Sequence, residues 1–265
     1  MESVTQLSQE LKKINIWERD QERSNTWEKI GRLPFWILDR MTPAFIQRRL
    51  NQLIGEVSRF IEYGGRYLVD EKKICQLYHV SSLAEIQNQP ITEMDKKARI
   101  LMEKRVRFAQ IQGATTGFGG MFTLVADIPI LLGTSLKVLQ EMALIYGYDP
   151  NDASERIYMI KCLQLAFSMS VGKRSVLREL RDFQTEKSNE QVISQLQGWR
   201  EVFNTYREHM TWKKLFQTVP LAGTLIGSTM NKGMIEKVAE TGQMLYKKRR
   251  VLERLNEVNA EKHLS

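Results

Sequence analysis

The sequence predicts an all-α protein, and three observations support that class. Apolar residues recur every three to four positions through most of the chain, which is the period of a helix and not of a strand. There are only 6 prolines in 265 residues, so few positions interrupt a helix. Hydrophobic residues make up 42% of the chain, enough for a substantial core. We therefore predict a multi-helix bundle with two central apolar hairpin segments that contain glycine and proline.

The chain divides into an N-terminal amphipathic and aromatic segment, residues 1–41, and a helical domain, residues 42–265. Within residues 1–25, a single helical stripe is predicted from Leu7, Leu11, Ile14 and Trp17. The stretch from Trp27 to Met41 is aromatic and edged by Lys and Arg, which is the composition of an interfacial membrane anchor. The alternative is a helix that docks its aromatic side chains into the core.

Three helices and one brief turn are predicted between residues 42 and 113, and local signals set their ends. The predicted segments are Thr42–Tyr63 ended by Gly64 and Gly65, a short helix at 68–78, a brief turn marked by the capping-box spacing of Ser82 and Glu85, and a strongly basic helix capped by Thr92. The basic helix leads directly into the first central segment.

The first central segment, Gly113 to Pro150, holds one charged residue between Ile111 and Leu136, namely Asp127. We predict that the segment breaks there, with Asp127 capping a new helix and Pro129 in its first turn. The alternatives are a functional acid or a buried partner for Arg105 or Arg107. Gly147 is predicted to end the helix in a left-handed conformation.

The second half repeats this pattern. A helix is predicted from Ser154 to about Phe183 with a bend at Gly172, then a polar loop at 184–191 and an amphipathic helix at 192–210. The second uncharged segment, Leu215 to Met230, carries a GxxxG spacing that lets helices approach closely. A long terminal helix follows, with this apolar stripe: Ile235, Val238, Ala239, Gly242, Leu245, Leu252 and Leu255.

The formal charge of +8 predicts attraction to polyanions. No helix-turn-helix, zinc-finger or RNP signature is present, so no nucleic-acid partner is expected. Basic clusters beside apolar stretches fit anionic lipid headgroups instead. The predicted contacts with a membrane or anion are Trp27, Trp36, Lys104, Arg105, Lys247, Lys248, Arg249 and Arg250.

Catalytic and metal-binding patterns are missing from the sequence. The three histidines, at 79, 209 and 263, are far apart, and no HExxH or GxSxG occurs. Cys75 and Cys162 lack CxxC spacing and are predicted to be free, partly buried thiols. We expect no catalytic residue, no metal and no cofactor. No signal peptide and no run of 18 apolar residues is visible, which predicts a cytoplasmic location, peripheral at the inner face of the membrane.

The segments TGFGGMFTLVADIPIL, ALIYGYDP and VPLAGTLIGSTMN resemble the signature of the EcsC family over roughly residues 45–255. The matching positions are Asp127, Pro129, Tyr146, Gly147, Asp149, Pro150, Pro220, Gly223, Gly227 and Asn231. The resemblance implies a bacterial protein without established catalytic residues. It also implies a link to an ABC transporter and to secretion, because the family's namesake is encoded with the components of such a transporter.

The sequence therefore predicts a non-enzymatic, membrane-associated helical accessory protein. Its partner would be an anionic membrane surface or a membrane protein such as an ABC transporter. The alternative is a soluble helical protein that binds a lipid or another apolar small molecule in a cavity lined by the glycine-rich segments.

Overall fold

A computed structural model describes residues 2–22, 59–60, 64, 69–116, 121–168, 170–185 and 223–264. Along 112–116, 121–129, 170–171, 182, 184–185, 223–231 and 261–264 the description is of the backbone alone. Every regular element in these ranges is a helix, which confirms the all-α class. The helices are α1 (Val4–Glu22), α2 (Glu71–Tyr78), α3 (Leu83–Gln87), α4 (Ile91–Thr116), α5 (Met121–Ile145), α6 (Ala153–Phe167), α7 (Ser170–Thr185) and α8 (Gly223–Leu264).

The long terminal helix α8 is the axis of the fold, and α1, α4, α5 and α6 pack against it. The predicted stripe is buried at Ile235, Val238, Ala239 and Leu245. Gly242 lets α5 approach closely, because a Cβ atom there would lie 2.8 Å from Leu139 Cδ2. The core therefore surrounds α8.

Helices α4 and α5 run in opposite directions beside α8. Tyr146, just after α5, contacts Asp95 near the start of α4, and Glu141 contacts Arg105 further along α4. The two helices are therefore antiparallel. Helix α4 begins at Ile91, one residue before the predicted cap at Thr92. Its first amide donates instead to the carboxylate of Glu2, a residue 89 positions away. This cap could not be predicted from local sequence.

The predicted break in the first central segment is wrong. Helix α5 runs unbroken from Met121 to Ile145, so Asp127 and Pro129 both lie in its interior and Asp127 does not cap it. Pro129 removes one backbone hydrogen bond, but residues 121–128 of α5 contain no glycine or other proline, and the helix continues. The predicted end is confirmed: Gly147 has φ +78°, the left-handed conformation that favours glycine.

The helix predicted from Ser154 to Phe183 is two helices. The chain leaves the helical conformation at Ser168, whose backbone is extended and whose hydroxyl donates to the Gln164 carbonyl at 2.7 Å. The bend therefore lies at Ser168, not at Gly172, because the serine side chain competes for helix carbonyls.

Several predicted features lie outside the described residues. These are the aromatic segment with Trp27 and Trp36, most of the helix at 42–63, the boundary at 41/42, the helix at 192–210 and Pro220. Gly223, Gly227 and Asn231 lie on the helical backbone of α8. Within the described part of the chain, no helix has the length and apolarity needed to cross a bilayer.

Candidate functional site

The basic cluster, Lys247–Arg250, lies on α8 in the middle of the protein. Successive helical residues point about 100° apart, so four consecutive side chains face four directions. Lys247 and Lys248 are each 7% exposed, and Arg250 is 6% exposed. Other elements must therefore enclose α8 on every side at this level.

Each lysine of the cluster is paired with carboxylates. Lys247 Nζ donates to Glu10 and, at 2.6 Å, to Asp95. Burial alone would lower the pKa of Lys247, but its two carboxylate partners leave that pKa above the ordinary value. Lys248 Nζ donates to Glu18 at 2.6 Å. Both side chains are held as neutralised ion pairs.

Arg249 is fixed by a carboxylate and two aromatic rings. Its guanidinium donates twice to Glu155, at 2.8 and 2.6 Å. The same group lies 4.1 Å from the ring centroid of Tyr148 and 4.4 Å from that of Tyr158, which are cation–π distances. Burial would lower the pKa of Arg249, but the Glu155 carboxylate raises it overall. This arrangement holds the charge rigidly inside the protein.

Arg250 closes the C-terminal end of α5. Its Nε and Nη2 atoms donate to the Tyr146 carbonyl at 3.0 and 2.8 Å. A cation is favoured at this end of a helix because the last carbonyls have no helical partner. Gln87 donates to the next carbonyl, that of Gly147, at 2.9 Å. The basic cluster and the Tyr-Gly-x-Asp-Pro motif thus meet at one corner.

Tyr146, Asp149 and Pro150 of this motif lie at the same corner. The Tyr146 hydroxyl donates to Asp95 at 2.7 Å, and burial together with that carboxylate raises the pKa of Tyr146. Asp149 accepts from the Asn151 amide at 2.8 Å, which fixes the turn before α6. Pro150 is buried. In the structure, Tyr146 links the end of α5 to α4 through its hydroxyl and to α8 through its carbonyl.

The structure corrects the prediction that the basic cluster faces an anionic surface. The pattern of four adjacent cations is typical of a solvated or lipid-facing run, but here carboxylates from distant parts of the chain neutralise Lys247, Lys248 and Arg249, and Arg250 pairs with Glu253 of the same helix. Those carboxylates, Glu10, Glu18, Asp95 and Glu155, were missed because no spacing in the sequence links them to residues 247–250. Arg105 is corrected in the same way, since its Nε donates to the buried Glu141 at 2.7 Å.

Lys104, by contrast, is exposed, and it belongs to a mixed surface that we call the α4 face. This surface comprises Ile100, Lys104, Arg107, Phe108 and Ile111. Ile100 is 55%, Phe108 53% and Ile111 62% exposed. The five residues cover about 100° of the helix circumference and about 16 Å of its length.

The exposed charges of the α4 face are not neutralised by the rest of the described structure. Lys104 and Arg107 form no ion pair in the described part of the chain. The sequence signal for this surface was available: three large apolar residues recur at helical spacing inside a basic helix. Sequence reasoning recognised the charges and missed the apolar residues between them.

The two cysteines are free and buried, as predicted. Burial raises the pKa of the Cys162 thiol and of the Cys75 thiol. A raised thiol pKa disfavours the nucleophilic thiolate. Both residues therefore fit structural packing better than reactive chemistry.

Comparison with known proteins agrees with the EcsC-family resemblance seen in the sequence. The family model described as "EcsC protein family" matches residues 8–251. The chain is 48% identical over 262 residues to the uncharacterized protein YdbA of Bacillus subtilis, covering 96% of both chains. It is 31% identical over 156 residues to protein EcsC of the same organism, covering 59% of this chain and 63% of that protein. No solved structure matches significantly. The chain belongs to the EcsC protein family.

Proposed function

We propose that this protein is a non-enzymatic accessory protein that associates peripherally with the anionic inner face of the cell membrane through the α4 face. The observation that carries the proposal is the exposure of Ile100, Phe108 and Ile111 beside Lys104 and Arg107. Single exposed apolar residues are common on protein surfaces, but three on one helix face, interleaved with cations, match an interfacial helix.

The expected strength of this contact is moderate. Burying the exposed part of one such apolar side chain contributes about 1 kcal/mol. Each basic side chain near an anionic surface contributes about 1 kcal/mol. Three apolar and two basic side chains then contribute on the order of 5 kcal/mol, which supports reversible association and not permanent insertion.

The experiment that tests this proposal is vesicle flotation. The purified protein is mixed with vesicles of phosphatidylcholine alone or with added phosphatidylglycerol. The wild-type chain should float with the anionic vesicles only. The double variant Phe108→Ser/Ile111→Ser should bind them about tenfold more weakly or worse, because it loses about 2 kcal/mol of apolar burial.

A matched control is Ile16→Ser on α1. Ile16 is 46% exposed but does not belong to the α4 face. Its substitution should leave flotation unchanged. Equal flotation of the wild-type chain and the Phe108/Ile111 variant would contradict the proposal. Failure of the wild-type chain to bind anionic vesicles would contradict it as well.

The finer part of the proposal concerns the membrane partner. The resemblance to the family's namesake supports an ABC transporter linked to secretion as that partner. Crosslinking in isolated membranes, followed by mass spectrometry, should recover subunits of one such transporter with the wild-type chain. Recovery of no transporter subunit would remove this part and leave the lipid contact standing.

The alternative, a soluble binder of an apolar small molecule, places its cavity along the glycine-rich segments. Those segments fall largely where side chains are not described or outside the described residues. Since no observation in the described part favours a ligand there, we retain the membrane contact as the proposed function.

A further inference from the structure

The N-terminal helix α1 presents carboxylates to the body of the protein. Its inner face carries three carboxylates at helical spacing, Glu10, Glu18 and Glu22, and Glu2 precedes the helix on the same side. The side chain of Glu18 is only 4% exposed. The cations of α1, Lys12, Lys13 and Arg19, lie on its exposed side. The helix therefore has an acidic inner face, while its outer face carries three cations and Asp20.

A row of cations on the body receives these carboxylates. Glu10 pairs with Lys247, Glu18 pairs with Lys248, and Glu2 pairs with Arg254. Arg181 of α7 reaches both Glu18, at 3.2 Å, and Glu22, at 3.4 Å. We call the surface formed by Lys247, Lys248, Arg254 and Arg181 the α1 groove.

The α1 groove also receives apolar side chains. Leu7 is 2% exposed and Ile14 is fully buried, and the two lie two helical turns apart on the inner face. Trp17 is partly buried, and its indole donates to Glu240 of α8 at 2.9 Å. A groove that takes apolar residues at i and i+7 with carboxylates between them is built for an amphipathic helix.

The attachment of α1 depends strongly on charge. Only two apolar residues of α1 are buried, whereas three of its carboxylates, and that of Glu2 just before it, meet cations of the body. The pairs at Arg181, which is 50% exposed, and at Glu10, which is 22% exposed, keep contact with solvent and therefore weaken with salt, whereas the Lys248–Glu18 pair is buried. A helix of the same pattern from another molecule would make the same contacts.

We propose that the α1 groove is a binding site for an acidic amphipathic helix of a partner protein, and that α1 occupies the site in competition with that helix. The occupant carries carboxylates about two turns apart with apolar residues between them, as α1 does. An anionic membrane fits less well, because Lys248 lies buried at a depth that a helix side chain reaches and a flat headgroup layer does not. The inference does not rest on the membrane proposal, because α1 and the α4 face are different surfaces tested by different variants.

A labelled synthetic peptide of residues 2–22 tests this site in trans. Its binding is measured by fluorescence anisotropy to the full chain and to the full-length variant Glu10→Lys/Glu18→Lys, whose own α1 is repelled by Lys247, Lys248 and Arg181. The variant should bind the peptide at least tenfold more tightly than the wild-type chain, because its groove is vacated. Circular dichroism establishes that the variant is folded.

A control peptide with Glu10→Gln and Glu18→Gln keeps the apolar pattern and loses the two charges. It should bind the variant chain at least tenfold more weakly than the unmodified peptide. Equal affinity of the two peptides, or of the two chains, would overturn the proposal. Binding of phosphatidylglycerol vesicles by the variant chain without peptide binding would also overturn it, in favour of a lipid site.

A second measurement covers the case in which the variant does not fold. Amide hydrogen exchange of the wild-type chain is followed with and without excess unlabelled peptide. Displacement predicts faster exchange along Val4–Glu22 in the peptide's presence and unchanged exchange in α6. Unchanged exchange of α1 at every peptide concentration contradicts the proposal.

Discussion

At the scale of single residues, Gly147 has the least room for a side chain among the glycines whose surroundings the structure describes. Its φ of +78° is unfavourable for any residue with a side chain. A Cβ atom there would lie 2.6 Å from Gln87 Cγ and 3.1 Å from the Gln87 Cα. Gly147→Ala should lower the free energy of unfolding by about 2–4 kcal/mol, measured by urea denaturation.

Gly233 supplies the matched control for this substitution. It lies within α8, it is exposed, and a Cβ atom would meet nothing within 4 Å. Gly233→Ala should raise the free energy of unfolding by up to about 1 kcal/mol, because alanine is the better helix former. Equal stability of the two variants would contradict the assigned geometry at Gly147.

Arg249 and Glu155 should behave as one unit. Arg249→Met leaves the buried Glu155 carboxylate unpaired and should lower the free energy of unfolding by about 3–5 kcal/mol. Arg249→Met combined with Glu155→Met removes both charges and should recover most of that loss. A double-mutant cycle in urea measures the coupling. Additive effects of the two substitutions would show that the pair is not coupled.

At the scale of elements, the docking of α1 should depend on pH through Glu10. Burial alone would raise the pKa of Glu10, but Lys13 and Lys247 lower it below its ordinary value of 4.5. The unfolded chain therefore binds a proton at Glu10 at a higher pH than the folded chain does. The stabilisation is fully present above pH 4.5 and is lost as pH falls through the folded pKa.

The measurement is urea denaturation of the wild-type chain and of Glu10→Gln between pH 7 and pH 3.5. Glu10→Gln should be less stable than the wild-type chain at pH 7, and the difference should shrink as the solution becomes more acidic. A difference that stays constant or grows towards acid pH would contradict the assignment.

The helices show how far local signals determine an element. The end of α5 at Gly147 and the short helix after Ser82 were predicted because the signals act within a few residues. Glu85 Oε1 accepts from the Ser81 amide at 3.2 Å and from Ser82 Oγ at 3.1 Å, although the Ser82 side chain makes no cap hydrogen bond. The predicted helix start at Asp127 and Pro129 was wrong. Both residues favour the beginning of a helix locally, but they lie within α5, which begins at Met121. A proline within a helix removes one backbone hydrogen bond, but it does not by itself determine where the helix ends.

At the scale of the whole molecule, the sequence predicts helices better than it predicts their environment. The periodicity of α8 indicated a buried stripe at Ile235, Val238 and Leu245, and that stripe is buried. The burial of Lys248 could not be predicted, because its partner Glu18 lies 230 residues away in the chain. From sequence alone, a charged residue is expected to be exposed to solvent. It is buried only where the fold places an opposite charge beside it.

This distinction yields a prediction about which basic stretch meets a membrane. Lys104→Glu/Arg107→Glu and Lys247→Glu/Lys248→Glu each change two positive side chains to negative ones. Both double variants therefore move the formal net charge by −4, from +8 to +4. If net charge alone governed binding to anionic vesicles, the two variants would lose affinity equally.

The structure predicts that the variants separate in two measurements. The α4 variant should lose vesicle binding and keep the free energy of unfolding within about 0.5 kcal/mol, because both side chains are exposed. The α8 variant should lose several kcal/mol of stability, because its new carboxylates are buried against Glu10 and Glu18. Flotation and urea denaturation of both proteins decide the matter. If the α8 variant were stable but no longer bound vesicles, the basic cluster Lys247–Arg250 and not the α4 face would be the membrane contact.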